Sequence, residues 1–190
     1  GAGAPRAAAL LIGLAPSVHV GLGLWVVLIV ASAGVWNRAW MREWLVVAKW
    51  PLVLGLAISA VVAFVHSARA SPIPAIDAIE ARRYFDAFVT VWDGHRQPVP
   101  LSAAGVRLTA GSLLIAVVWL RSGAAGLTAD TAQLLRILAV ASAGALAAAL
   151  TTHIPVQWLP QAIVVAMPGR LLNLTALVSC PVLIGLAANL

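Results

Sequence analysis

Residues 45–66 read LVVAKWPLVLGLAISAVVAFVH, and this stretch decides what kind of protein the chain is. Lys49 is its only Lys, Arg, Asp or Glu, and no polar face recurs at helical spacing. A helix rises 1.5 Å per residue, so a run of about twenty apolar residues matches the ~30 Å hydrocarbon layer of a bilayer. Lys49 stands near the start of the run, where its stem can carry the ammonium back to the interface. Pro51 falls near the expected first turn, where a missing N–H is tolerated.

Working outward from this run, similar apolar blocks occupy 18–36, 106–120, 133–152 and 171–190. The expectation is an all-α, polytopic transmembrane helix bundle of about five spans, one domain over residues 1–190. Residues 6–14 (RAAALLIGL) are too short to cross and form a partial N-terminal helix that ends at Ala15-Pro16-Ser17. Ser17 is the expected N-cap of the first full span. Pro181 should kink the last span. The 137–149 stretch is Ala-rich, and small residues there favour close helix contact.

Composition agrees. The 190 residues are 62% hydrophobic and 9% charged, against roughly 25% charged in soluble domains. The formal charge is +6, but the basic residues stand singly at the ends of apolar runs. That placement suits anionic headgroups and excludes a nucleic-acid partner, which needs bases gathered on one exposed face. Cys180 is the only cysteine, so it forms neither an intrachain disulfide nor a cysteine metal cage. Within an apolar run it reads as a small buried hydrophobe. The chain opens without Met and closes inside an apolar run, which reads as part of a longer polytopic protein.

Alternating spans put all four histidines on one side. His19 opens a run, His66 closes the next, His95 lies in the long 67–104 loop, and His153 closes a later run. Bases divide five to six between the two faces, which leaves orientation undecided by charge. The short, acid-poor connections are read as cytoplasmic.

Tryptophan supports the boundaries, since Trp favours the headgroup layer. Trp36, Trp40 and Trp44 recur in steps of four around one turnaround, with Arg38 and Arg42 turned away. This predicts a short interfacial helix, an anchor or a partner contact. A helix end packed on protein is the plain alternative.

The 67–104 loop carries four of the six acids, Asp77, Glu80, Asp86 and Asp93. A surface helix is expected over about 76–92, with Tyr84, Phe85, Phe88, Val91 and Trp92 on one arc and Arg82, Arg83 and Asp86 opposite. The turn Trp92-Asp93-Gly94-His95-Arg96-Gln97-Pro98-Val99-Pro100 then gathers a carboxylate, an imidazole and a guanidinium. Asp93 and His95 are the candidate acid–base pair, and Arg96 a candidate phosphate ligand. Arg170, after Met167-Pro168-Gly169, is a second candidate phosphate ligand at the mouth of the last span. The plain alternatives are a hydrated loop and ordinary headgroup anchoring. A short dipping helix is expected at 161–167.

His19, His66 and His153 read first as interfacial histidines bonded to loop carbonyls. No HxxxH or HxxEH spacing supports a metal site, and none is expected. Axial ligation of haem or another pigment by a pair on neighbouring helices is a further alternative, although such ligands usually lie inside a span. No cofactor is assigned.

Ala15-Pro16-Ser17-Val18-His19-Val20-Gly21 resembles the HPxxG segment of large, multi-spanning bacterial membrane proteins of glycosyltransferase-C-like appearance. Val20 stands where that pattern has proline. The long loop with its Pro-ended turn, 93–100, is similar to theirs, as is the Gln-to-Arg segment from Gln161 to Arg170. The likeness covers most of the chain as the C-terminal half of such a protein. It implies a polyprenyl-phosphate-linked sugar as substrate and the bacterial inner membrane as location. The class uses an acid in a first extracytoplasmic loop that has no counterpart here, so that residue is not carried over.

Three functions follow for testing. One is an enzyme, or part of one, working on a lipid-linked phosphorylated donor at the histidine face. Another is a non-catalytic subunit packed against a larger membrane complex or against the rest of the same protein. The last is a transporter or scramblase fragment, which the lack of an acid at any span centre disfavours in its proton-coupled form.

Overall fold

In the computed structural model the described residues are 4–69, 77–92, 97–123, 128–155, 158–160, 163–164 and 168–187. Among them every regular element is helical. The helices are α1 (Pro5–Val18), α2 (Val20–Trp36), α3 (Arg38–Ala68), α4 (Ala78–Ala87), α5 (Ala104–Ser122), α6 (Ala129–Thr151) and α7 (Leu171–Ala187). A π-helical turn, Phe88–Trp92, extends α4, and a 3-10 turn, Pro168–Arg170, leads into α7. Three of these, α3, α5 and α6, are long and apolar enough to cross a membrane, whereas α1, α2 and α7 are shorter apolar helices.

The first half is a hairpin with a third helix laid on it. α1 runs through Pro16 to Val18, further than the expected end at residue 14. Ser17 does not cap the next helix, because its Oγ donates back to the Leu14 carbonyl at 2.7 Å. The break falls at His19, whose extended backbone (φ −154°, ψ 104°) turns the chain, and α2 starts at Val20 instead of 18. Gly23 of α2 lies directly against the backbone of Ala15 and Pro16, so the hairpin closes where a side chain has no room.

α3 then returns alongside α1 in the same direction. A Cβ on Gly13 would stand 2.6 Å from the Leu52 carbonyl, and one on Gly55 2.6 Å from the Leu10 carbonyl. Ser59 Oγ donates to the Gly13 carbonyl at 2.8 Å. Gly13 of α1 thus meets Gly55 and Ser59, four apart on α3. This is the small-residue crossing by which apolar helices approach closely without a hydrophobic drive in lipid.

Two expectations about α3 are corrected. Trp36, Trp40 and Trp44 do not share a short separate helix: Trp36 ends α2, while Trp40 and Trp44 lie in the opening turns of α3. The cause is Asn37, which leaves helical geometry (φ −124°, ψ 78°) and caps α3 by accepting from the Trp40 N–H at 3.4 Å. No breaker follows before Pro51, so the polar patch and the apolar run become one helix of 31 residues. Pro51 consequently lies well inside α3 and not in its first turn.

The second half packs α5, α6 and α7 against one another. Gly105 faces Leu172, and Ser112 Oγ is 3.0 Å from Ser179 Oγ, so α5 and α7 run in the same direction. α6 runs against them, with Thr175 Oγ1 donating to the Ala141 carbonyl at 3.3 Å. The Ala-rich sequence of α6 is the core: Ala139, Ala141, Ala145, Ala148 and Ala149 are all buried. Cys180, expected to be buried, is exposed on α7, because its neighbour Ser179 takes the inward position.

The halves join through α2 and α6. Buried Gln133 donates from Nε2 to the Ala33 carbonyl at 3.4 Å and accepts from Asn37 Nδ2 at 3.3 Å. Higher up, Trp25 and Ile29 pack on the cluster formed by Ala145, Ala148, Ala149, Leu171 and Leu172.

Candidate functional site

α1 ends, α2 begins and α7 begins at one end of the bundle, and there His19 meets Arg170. The imidazole Nδ1 accepts from the Leu22 N–H at 3.2 Å, one of the orphan donors in the first turn of α2. On the other side of the ring, Nε2 stands 3.4 Å from Arg170 Nη1. Both side chains are half-buried. Among the described residues, the one ion pair is Arg82 with Asp86 (Nε to carboxylate 3.1 Å), so no carboxylate neutralises Arg170 within that set.

Beside this pair, the end of α6 is strapped by the segment after residue 97. Val99 N–H donates to Thr152 Oγ1 at 3.0 Å, and the Val99 carbonyl is 2.9 Å from His153 Nε2. His153 therefore bonds a loop carbonyl, as an interfacial histidine is expected to do. Between this strap and the π turn lies a cleft of about 300 Å³, walled by Val89, Pro98, Ile154, Pro155, Leu159 and Val164. Thr90, Gln97, Thr152 and His153 supply its polar edge. Gln97 Nε2 donates to the Thr90 carbonyl at 3.2 Å, which holds together the two chain ends flanking 93–96.

Asp93, His95 and Arg96, the proposed acid–base and phosphate residues, lie outside the described residues. Residues 161–162 and 165–167 of the expected dipping helix do so too, while Ile163 and Val164 are helical. His66 is exposed near the end of α3, beside Arg69, and no contact among the described residues joins it to His19, His153 or Arg170. Among the described residues no group of three or more His, Cys, Asp and Glu gathers as a metal set.

The loop helix has its own cap. Asp77 Oδ1 accepts from the N–H groups of Ile79 and Glu80, both at 2.8 Å, so α4 begins at Ala78. The change to π geometry at Phe88 rotates the end of the expected aromatic arc, and it is Val89 that becomes buried.

At the opposite end of the bundle a second cleft, of about 360 Å³, opens between α1, α3 and α6. Trp40 and Trp44 line it with their rings stacked at 5.8 Å between centroids, and Glu43 and Asp130 stand at its edge. Trp36 lies exposed outside it.

Sequence reading missed the Val99–Thr152 strap and the Gln133 bridge, because neither has a local signature. Among the described residues, the buried hydroxyls Thr109 Oγ1 and Ser142 Oγ have no hydrogen-bond partner. No protein-family model matches the chain, and no curated protein or solved structure matches it.

Proposed function

We propose that the chain is the membrane-embedded part of a multi-pass protein that handles a phosphorylated, lipid-linked substrate at the face formed by His19, His153 and Arg170. The coarser statement stands on the helices themselves, three of which have the length and apolarity to span a bilayer. The finer reading has five crossings, with α2 and α7 joining those three, in the bacterial inner membrane. The observation that carries it is the meeting of His19 and Arg170, 151 residues apart, where α2 and α7 begin. The resemblance to glycosyltransferase-C-like proteins supports a polyprenyl-phosphate-linked sugar as the substrate. In this reading Arg170 and Arg96 hold phosphate, Asp93 and His95 move the proton, and the 300 Å³ apolar cleft takes part of the lipid chain.

The test compares lipid-linked sugar pools, by mass spectrometry, in cells with the protein, without it, and with Arg170→Ala or Arg96→Ala. A precursor should accumulate in the deletion and in both variants at unchanged protein level. Pools that stay the same in the deletion sink the reading.

A second reading, a non-catalytic subunit of a larger membrane complex, is favoured by the aromatic cleft at the other end. There the stacked Trp40 and Trp44 form a wall open to a partner. Under that reading Trp36→Ala, Trp40→Ala and Trp44→Ala together release the protein from its complex on a native gel, and Arg170→Ala does not. A visible absorption band in the purified protein would instead favour the haem or pigment alternative.

A further inference from the structure

We infer that His19 and Arg170 form a two-armed clasp for a phosphate oxyanion, with the imidazole as the second arm. This rests on the phosphate-handling reading of the same face and adds to it a partner for Arg170. The inference comes from counting donors and acceptors. A neutral imidazole has one lone pair and one N–H, and an imidazolium has no lone pair. Two donors approach this ring, the Leu22 N–H at Nδ1 (3.2 Å) and Arg170 Nη1 at Nε2 (3.4 Å). Whichever tautomer is present, one N–H faces another N–H, and one acceptor is missing.

The cap decides where. Leu22 N–H is an early donor of α2 with no partner in its own helix, so Nδ1 accepts from it and the proton stays on Nε2. Nε2–H and an Arg170 N–H then face each other across 3.4 Å, with no acceptor between them. An oxygen about 2.9 Å from each nitrogen completes a triangle on the 3.4 Å N···N base, at ordinary charge-assisted distances. No described carboxylate lies in ion-pair reach of Arg170, so among the described residues its charge is free to meet an anion. The position at the start of two apolar helices puts that anion at headgroup depth, where phosphate is the abundant oxyanion. A lipid-borne phosphate and free inorganic phosphate share this chemistry.

The test is the thermal unfolding midpoint of the whole protein in detergent, titrated separately with farnesyl phosphate, short-chain phosphatidylglycerol and inorganic phosphate. In the wild type at least one should raise the midpoint. Farnesyl phosphate alone identifies a lipid phosphomonoester, phosphatidylglycerol as well identifies ordinary headgroups, and inorganic phosphate identifies free anion. His19→Asp keeps a capping oxygen for Leu22 and offers another to Arg170, filling the gap from within. It should raise the unliganded midpoint and abolish the phosphate response. His19→Asn keeps the cap without the charge and should weaken binding about tenfold. If Arg170→Gln loses the response while His19→Asp and His19→Asn keep it in full, Arg170 acts alone and the clasp is overturned, leaving the wider reading in place. If no probe moves the wild type, both fall.

Discussion

Two glycines show how differently the same residue acts in this protein. Gly123 ends α5 in the left-handed conformation (φ 55°), and nothing lies within 4 Å of a Cβ added there. Gly123→Ala therefore meets only backbone strain and should cost about 1 kcal/mol. Gly144, inside α6, has equally open space but ordinary helical geometry. Gly144→Ala should stabilise by roughly 0.5–1 kcal/mol through helix propensity and reduced freedom of the unfolded chain. Opposite signs are expected in one denaturation experiment, and a loss at Gly144 would show that its exposed face has a partner. At Thr109 the missing partner of Oγ1 has a similar consequence. Thr109→Val should be neutral or stabilising, because it removes a desolvated hydroxyl without leaving an orphan.

Between elements, the α1–α3 crossing is set by backbone and not by side chains. A Cβ at Gly55 runs into the Leu10 carbonyl, which no rotamer change can move. Gly55→Val should separate the two helices at a cost of about 1–3 kcal/mol, read as a lower unfolding midpoint. Ser59→Ala leaves the approach intact and removes one hydrogen bond, so about 1 kcal/mol is the expected loss. Across the other half, Ser112 and Ser179 join α5 to α7. A double-mutant cycle to alanine should give a coupling near 0.6 kcal/mol, the usual size for a polar pair between membrane helices. Of such helix-packing stripes only the Ala-rich 137–149 stretch is legible in the sequence. Which stripe meets which was not readable, since Gly55 could have faced Gly13, Gly23 or Gly144 with equal chemistry.

The molecule as a whole brings the start of α2, the start of α7 and the end of α6 to one end, and the α2–α3 corner and the start of α6 to the other. In a Cys180→Ala background, cysteines placed at Ser67 and Leu101 should react with an impermeant thiol reagent from one side of the membrane. Cysteines at Arg38 and Ser122 should react from the opposite side, and a mixed pattern would rule out the proposed five crossings.

The helical class and three helices of spanning length, α3, α5 and α6, were written in the sequence, because apolar run length against bilayer thickness is a local quantity. The side of each histidine in the expected scheme followed from the same counting. What the sequence left open were the terminal details, where single side chains compete: Asn37 ends one helix and caps the next, and His19 instead of Ser17 makes the turn. The partner of Arg170 lay beyond any local pattern. His19 reaches it across 151 residues only because Gly23 lets α2 fold onto α1 and Ala145, Ala148 and Ala149 draw the start of α7 against α6. Local hydropathy can select a helix and its length, but a contact between distant side chains depends on how closely whole helices approach. Backbone contact and small-residue packing set that distance here.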